Sequence, residues 1–358
     1  MSKEFLVLAV NPGATSTKVA VFQNETLVKQ KDVRHSTSEF KDCKRILDQK
    51  EIRLAYIMDF LREAGIRPES LNGIVGRGGL IKPIESGTYL INDNMIQDLL
   101  ADSAAVHASA LGGLMAAEIG MKYNLPAYVV DPVVVDEMEP CAKFTGFPGI
   151  ERRSVFHALN SKAVARRCAK DIGIAYEDGR FVVAHMGGGI TVAAHRYGRV
   201  IDVSNAIDGE GPFTPERCGA VTLEPLVELC FDGKTKKSDI MAMINKRGGL
   251  MAYLGTNDLR EVEKMIREGD EYAALVLDAM AYQVAKEIGA MVAVLEGRLN
   301  AVVLSGGIAH STRFTGSIKQ RIDQIAQVVT YPGEDEMKAL AEGVLRVLRG
   351  EDQAKIYT

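Results

Sequence analysis

An eight-residue segment near the start of the chain combines several groups that could bind a polyanion. Asn11–Lys18 reads Asn-Pro-Gly-Ala-Thr-Ser-Thr-Lys and directly follows the apolar run Phe5–Val10. Backbone N–H groups beside Gly13, together with hydroxyl and ammonium donors, can form a concave cradle for phosphate oxygens. The segment lacks the GxxxxGK[ST] pattern of a Walker A loop, so a phosphate site here would be of another kind. A polar hairpin turn that binds nothing is the alternative.

Two further glycine clusters follow apolar runs in the second half of the chain. The first reads His-Met-Gly-Gly-Gly-Ile-Thr at 185–191, and glycines allow a phosphate to approach the backbone closely. His185, at the predicted strand end, could donate to a phosphate oxygen, with a structural histidine as the alternative. The second cluster is Leu304–His310, where the pair Gly306 and Gly307 would let a nucleoside lie against the backbone and a helix N-terminus. A simple strand-to-helix turn is the alternative there.

Two arginines stand in loops where packing gives no reason for a long cationic side chain. Arg77 lies within Gly76–Gly79, and Arg217 follows Pro212–Glu216. Arginine recognises carboxylates and phosphates with two parallel hydrogen bonds, so both residues are candidates for anion binding. Surface salt bridges are the alternative for each.

Acidic residues occur at two positions where a metal or ligand could bind. Asp131 ends an apolar run, and α/β folds bind their ligands at the carboxyl ends of strands. Near the C-terminus, Pro332–Glu336 offers carboxylates that could reach a metal ion. A solvated helix N-terminus explains the second group equally well.

Strand-like and helix-like runs alternate along the chain, which predicts an α/β protein. Phe5–Phe22 reads as strand, glycine-containing turn and strand, and Phe181–His195 reads the same way. The turn glycines, Gly13 and Gly188, are 175 residues apart, about half of the 358-residue chain. This spacing predicts two related domains, with chance similarity of two hairpins as the alternative.

Composition excludes several classes of function. A net charge of -4 argues against a nucleic-acid surface, and the absence of Trp with 6% aromatic residues argues against a base-stacking platform. No apolar run approaches the ~20 residues that cross a membrane, and the N-terminus lacks signal-peptide features. The five cysteines form no CxxC pair and read as reduced thiols. We therefore expect a cytoplasmic protein that binds neither nucleic acid nor membrane.

Four segments together carry a resemblance over essentially the whole chain: Asn11–Lys18, Glu151–His157, Ala184–Ala193 and Leu304–Ile308. Their combination resembles the superfamily of acetate and sugar kinases, heat-shock chaperones and actin. Within it the chain is similar to the acetokinase family, closest to its butyrate kinases. The resemblance implies an α/β fold of two duplicated ribonuclease H-like (actin-like ATPase) domains, with mixed sheets flanked by helices and a nucleotide cleft between them. It places the domains at 1–155 and 156–358, and leaves open whether the last helix, near 336–350, packs back on the first.

The resemblance also implies roles for individual residues. The implied catalytic residues are Arg77, Asp131, His157, His185 and Arg217. The implied nucleotide-binding residues are Asn11, Gly13, Ser16, Lys18, Gly187, Gly188, Gly189, Gly306, Gly307 and Ile308. The implied metal ligands are Asp131 and Glu336, with Glu334 as the alternative to Glu336, and the implied substrate pocket contains Gly79, Phe156 and Pro212.

The residue two positions after Arg77 departs from the acetate kinase pattern in an informative way. That pattern has a branched aliphatic residue where this chain has Gly79. Our hypothesis is that the missing side chain enlarges the acyl pocket. Each additional buried CH₂ would then contribute ~0.8 kcal/mol of binding, which favours butyrate or a branched analogue over acetate.

The resemblance implies an enzyme that uses ATP and Mg²⁺ to phosphorylate the carboxylate of butyrate, reversibly giving butyryl phosphate and ADP. Isobutyrate and other branched acids, acetate and propionate are the alternative substrates. A sugar kinase that uses Asp131 as a base and a non-catalytic nucleotide-driven binding module are rival functions. The resemblance further implies a homodimer or a larger homo-oligomer.

Overall fold

The computed structural model describes residues 3–36, 38–101, 107–205 and 207–358. In this part of the chain the strands are β1 (Leu6–Pro12), β2 (Ser16–Gln23), β3 (Thr26–Arg34), β4 (Gly73–Gly76), β5 (Thr88–Leu90), β6 (Ala127–Val130), β7 (Arg180–Met186), β8 (Ile190–Arg196), β9 (Arg199–Val203), β10 (Ala301–Gly306), β11 (Val328–Pro332) and β12 (Lys355–Ile356). The helices are α1 (Lys50–Glu63), α2 (Asp93–Leu100), α3 (Ala110–Tyr123), α4 (Ala158–Asp171), α5 (Leu223–Cys230), α6 (Lys237–Asn245), α7 (Gly249–Leu254), α8 (Leu259–Arg267), α9 (Glu271–Val294), α10 (Thr312–Ile322) and α11 (Glu336–Leu348). Among the described residues, no helix has both the length and the apolar character needed to cross a bilayer.

The chain divides into two compact units, 1–135 with 335–358, and 136–334. The first unit contains a seven-stranded mixed sheet with the order β12-β5-β6-β4-β1-β2-β3. The strands β1, β2 and β3 form an antiparallel meander, and β4 runs parallel to β1 on its other side. Strand β1 is continuously apolar because α3 and α11 both pack against it, so its side chains are buried.

The second unit contains a five-stranded mixed sheet with the order β11-β10-β7-β8-β9. Here too the first three strands of the unit form an antiparallel meander, and β10 runs parallel to β7. The long helix α9 buries Leu277, Met280, Val284 and Ile288 in the core, and their spacing of three or four residues places them on one face. The order β10-β7-β8-β9 repeats the order β4-β1-β2-β3 of the first unit. The predicted pair of mixed sheets flanked by helices is confirmed.

The domain limits given by the sequence stay a prediction, and the compact units differ from them in two segments. Residues 136–155 belong to the second unit, because Glu139 N donates to Ile201 O (2.9 Å) and Arg152 Nη1 donates to Asp202 Oδ1 (2.9 Å). Residues 335–358 belong to the first unit, because α11 packs against β1, β2, β4 and β6.

Candidate active site

The first glycine turn connects β1 to β2 in the first unit. Gly13 N donates to Ser16 O (2.8 Å), which closes the turn. A Cβ added to Gly13 would meet its nearest neighbour, Ser16 Oγ, at 3.5 Å, an ordinary contact distance. Nothing in the described packing therefore demands a glycine here. Asn11 lies at the buried start of this turn, whereas Lys18 is exposed on β2.

Three of the predicted site residues meet at one point of the first unit. Arg77 directly follows β4, and its Nη1 donates to Glu336 Oε1. Asn11 Nδ2 donates to Glu336 Oε2 (2.6 Å). The Arg77 and Glu336 side chains are only 15% and 13% exposed. Arg77 Nε is buried and has no hydrogen-bond partner among the described residues, so it is a donor available to a ligand.

Asp131 follows β6 of the same unit and is held by the loop before β5. Its Oδ1 accepts from Ser86 Oγ (2.6 Å) and from Gly87 N (2.8 Å). The residue is 3% exposed and has a φ of 38°, in a region that residues other than glycine adopt uncommonly. Such a conformation persists only when the surrounding bonds enforce it, and it is frequent at functional sites.

The second glycine turn, between β7 and β8, lies beside two stacked histidines. The rings of His157 and His185 are 3.8 Å apart at an interplanar angle of 14°. His185 Nε2 lies 3.2 Å from Glu334 Oε1, and its Nδ1 lies 2.8 Å from Asn160 Nδ2. His157 Nδ1 is bonded to Thr191 Oγ1 (3.1 Å) at the start of β8. The structure thus brings both predicted histidines to one side of the turn.

Arg217 contacts the same turn from the loop before α5. A Cβ added to Gly189 would lie 2.3 Å from Arg217 Nη1, so the guanidinium lies directly over this glycine. Thr214 holds the loop, since its Oγ1 donates to Gly188 O (2.7 Å) and accepts from Arg217 N (3.0 Å). Burial lowers the pKa of the Arg217 guanidinium, although an arginine stays protonated at neutral pH.

Gly306, the last residue of β10, and Gly307, the next residue, serve different purposes. Gly306 has a φ of 92°, and a Cβ there would lie 2.3 Å from Met186 O, so the fold itself requires this glycine. A Cβ on Gly307 would meet nothing within 4 Å, so the space beside this residue is open. Ile308, also predicted to bind the nucleotide, is buried in the core of the second unit.

Among the described residues, the predicted acyl-pocket residue Gly79 is closely packed. A Cβ on Gly79 would lie 2.8 Å from Ala110 Cβ, because the start of α3 fills that space. The hypothesis that the missing side chain leaves extra room is therefore wrong. Phe156 is fully buried, and Pro212 lines a cavity of about 10 Å³ beside Arg217, no larger than a single water needs.

Sequence reasoning missed the residues that support these side chains. Asn160 of α4 contacts His185, 25 positions later, and no local spacing in the sequence indicates this pair. Ser86, which donates to Asp131, stands in a loop without a recognisable motif.

A match to a known family decides how the residues around Arg77 and those around the turn at Gly187–Gly189 are interpreted. The sequence model of the acetokinase family matches residues 144–328, more than half of the 358-residue chain. The chain belongs to the acetokinase family. It is therefore a kinase, and the identification of the family from the sequence motifs is confirmed.

Solved structures of other proteins are similar to this acetokinase over nearly its whole length. Acetate kinase from Porphyromonas gingivalis has a TM-score of 0.79 at 20% identity, covering 96% of this chain and 100% of that one. A propionate kinase from Francisella tularensis subsp. tularensis SCHU S4 has a TM-score of 0.75 at 19% identity, covering 95% and 98%. Acetate kinase from Entamoeba histolytica has a TM-score of 0.75 at 18% identity, covering 94% and 98%. These likenesses show the fold, which is the predicted actin-like ATPase fold.

The residues of this acetokinase fit ATP with Mg²⁺, the cofactors that the family normally uses. A Cβ on Gly307 would meet nothing within 4 Å, so the space beside this residue allows the close approach of a nucleotide to the backbone. No group of three or more His, Cys, Asp or Glu suited to a metal ion occurs among the described residues. Mg²⁺ is usually held by one or two carboxylates together with substrate phosphates and waters, so Asp131 and Glu336 suffice in number.

Proposed function

We propose that this acetokinase transfers the γ-phosphoryl group of ATP to the carboxylate of a short-chain fatty acid, and that its substrate is butyrate. The observation that carries the proposal is the environment of Arg77. Its guanidinium is fixed by Glu336, yet its buried Nε has no partner among the described residues. A fixed arginine with an unused, buried donor is suited to bind an ionised carboxylate.

The chemistry needs positioning rather than a general base. A fatty-acid carboxyl group has a pKa of ~4–5, so at neutral pH it is already an ionised nucleophile. Arg77 binds and orients this carboxylate and offsets its charge. Loss of translational freedom and correct alignment then supply much of the rate enhancement, as in other phosphoryl transfers.

The residues around the second glycine turn act on the phosphoryl group. Arg217 and His185 donate to its oxygens, and the turn at Gly187–Gly189 lets those oxygens approach the backbone. The stacked ring of His157 orients His185 and is a second donor. These assignments are supported by the contact of Arg217 with Gly189 and by the 3.8 Å separation of the two rings.

The nucleotide and metal are assigned to the remaining predicted residues. Asn11, Gly13, Ser16 and Lys18 hold the phosphates, and the backbone at Gly306–Ile308 faces the adenosine. Asp131 and Glu336 hold Mg²⁺, directly or through water. The metal ion, when bound, neutralises charge on the β- and γ-phosphates.

The four-carbon substrate is proposed from the resemblance to butyrate kinases that four segments carry together: Asn11–Lys18, Glu151–His157, Ala184–Ala193 and Leu304–Ile308. The close packing of Gly79 against Ala110 removes pocket size as an argument for it. Isobutyrate, propionate and acetate are therefore the substrates to compare directly.

The decisive experiment measures acyl phosphate trapped by hydroxylamine, with MgATP and each straight and branched acid from two to five carbons. We expect hydroxamate from several acids, with the highest kcat/KM for butyrate. A maximum at another acid would replace butyrate while keeping the reaction. Absence of hydroxamate with every acid, together with conversion of ATP to ADP when glucose or another sugar is the acceptor, would overturn carboxylate phosphorylation altogether.

A further inference from the structure

A fully buried arginine lies beneath the first glycine turn. Arg53, on α1, is 0% exposed and belongs to the largest fully buried side chains of the protein. Its Nη1 donates to Ser16 O (2.8 Å) and Thr17 Oγ1 (2.9 Å), and its Nη2 donates to Ala14 O (3.3 Å). Nη2 and Nε also donate to Gln49 Oε1, at 2.8 Å and 3.2 Å. These are five hydrogen bonds, the number that a guanidinium can donate.

None of these acceptors carries a charge. Within the described ranges no carboxylate is paired with Arg53, and the Phe40 ring, 5.0 Å from the guanidinium, is its cation–π neighbour. An unpaired buried charge is unfavourable for stability, so a purely structural role would be served better by a neutral donor. The positive charge of Arg53 therefore needs an explanation other than stability, and the glycine turn that it contacts provides one.

The carbonyl groups of the turn are held by two partners. Arg53 binds Ala14 O and Ser16 O, and His35 N donates to Thr15 O (2.9 Å). In a planar trans peptide the N–H of the next residue points away from the preceding C=O. The N–H of Thr15 therefore points away from Ala14 O and from the Arg53 guanidinium bound to it, and Thr15 is exposed. An outward N–H above a buried cation favours the binding of a polyanion.

We propose that Arg53 is a positioning residue for the nucleotide's phosphates: it fixes the turn at Ala14–Thr17 with the Thr15 N–H outward, and its unpaired charge attracts the phosphate chain. This inference rests on the proposed function, which places ATP at this turn. Because the attraction acts on charge, its effect grows with the number of phosphates. A residue that merely stabilised the fold would affect all nucleotides equally.

The test compares the dissociation constants of AMP, ADP and ATP by titration calorimetry at low and high salt. Arg53→Met is expected to weaken ATP binding at least tenfold, ADP binding less and AMP binding least, with the difference shrinking at high salt. Arg62→Gln is the matched control, since Arg62 is an exposed arginine of the same helix, paired with Asp59. It should leave all three constants unchanged.

Arg53→Lys keeps the experiment decisive if Arg53→Met does not fold. The lysine retains the charge but not the five-donor geometry, so it should preserve the wild-type ratio of AMP to ATP dissociation constants within about threefold. An equal loss for all three nucleotides, or no loss, would overturn the role of the charge. Failure of the wild-type protein to bind ATP would instead overturn the proposed function, so the two failures are distinguishable.

Discussion

The guanidinium of Arg77 is hydrogen-bonded to the carboxylate of Glu336, 259 positions later in the chain. Both side chains are largely withdrawn from water, and Glu336 also accepts from Asn11. The pair fixes the arginine on the first unit and leaves its Nε unused. It also places a carboxylate proposed to hold Mg²⁺ next to the arginine proposed to hold the substrate.

Replacing Arg77 by alanine tests its role in binding the acid. We expect kcat/KM for butyrate in the hydroxamate assay to fall by about 10²–10³, the usual loss for one donor to a reacting group. The dissociation constant of ADP should change much less, because the proposed partner of Arg77 is the acid rather than the nucleotide.

The control for this variant is Arg45→Ala, which removes an exposed arginine paired only with Asp48 near α1. It should behave as the wild type, because exposed ion pairs contribute little. A kcat/KM within threefold of the wild type for Arg77→Ala would contradict the proposed carboxylate site.

The sequence predicts the strands and glycine turns at these sites because short segments of the chain are enough to indicate them. The apolar runs that become β1 and β7 each end at a glycine turn, and the two meanders repeat along the chain, so the duplication and the turns at Gly13 and Gly188 are recognisable. Candidate anion binders such as Arg77 stand out because a cation among glycines has no packing role. The family motifs then combine these signals into one fold.

The features of the site that the sequence does not predict depend on contacts between segments far apart in the chain. The bond between Arg77 and Glu336 exists because α11 returns to the first sheet, which periodicity alone does not specify. The interpretation of Gly79 is wrong for the same reason, since the neighbour that fills its side-chain space is Ala110 of α3. Arg53 carries no local motif, and only the fold places it under the first turn.

The adjacent residues Gly306 and Gly307 provide a matched pair of variants. Gly306→Ala should lower the thermal stability strongly, because its φ of 92° is unfavourable for alanine and the new Cβ would lie 2.3 Å from Met186 O. Gly307→Ala should melt like the wild type, since its Cβ meets nothing within 4 Å, but it should raise KM for ATP if adenosine lies against this residue. Thermal unfolding and ATP kinetics measure the two effects. An unchanged KM for Gly307→Ala would exclude nucleotide contact there.

A variant of Gly79 distinguishes a role in packing from a role in selecting the chain length of the acid. Gly79→Ala should lower the melting temperature and reduce activity toward all acids together, because the new Cβ would lie 2.8 Å from Ala110 Cβ. The double variant Gly79→Ala/Ala110→Gly removes that methyl group and should recover part of the stability. A selective shift toward acetate at unchanged stability would instead restore the idea that Gly79 sets chain length.

A buried histidine in the second unit predicts the pH dependence of stability. His195 is fully buried between Ser161 Oγ (2.9 Å) and Tyr176 OH (2.8 Å), and burial, helped by Lys162 and Arg166, holds its pKa well below the ordinary value. The folded protein therefore keeps it neutral at a pH where the unfolded chain binds a proton. As the pH falls below ~6.5, the free energy of unfolding should fall by up to ~1.4 kcal/mol per pH unit on this account. Above that pH the residue adds no pH dependence.

The variant that isolates this effect is His195→Gln, which keeps an amide able to bond to Ser161 and Tyr176 but cannot take up the proton. Urea unfolding between pH 5 and pH 8 should then show a smaller slope below ~6.5 than the wild type shows. His310→Gln is the comparison, because His310 is exposed and lies in the same unit. If His195→Gln and the wild type lose stability in parallel over this range, the acid sensitivity arises from other groups, and burial of His195 does not control it.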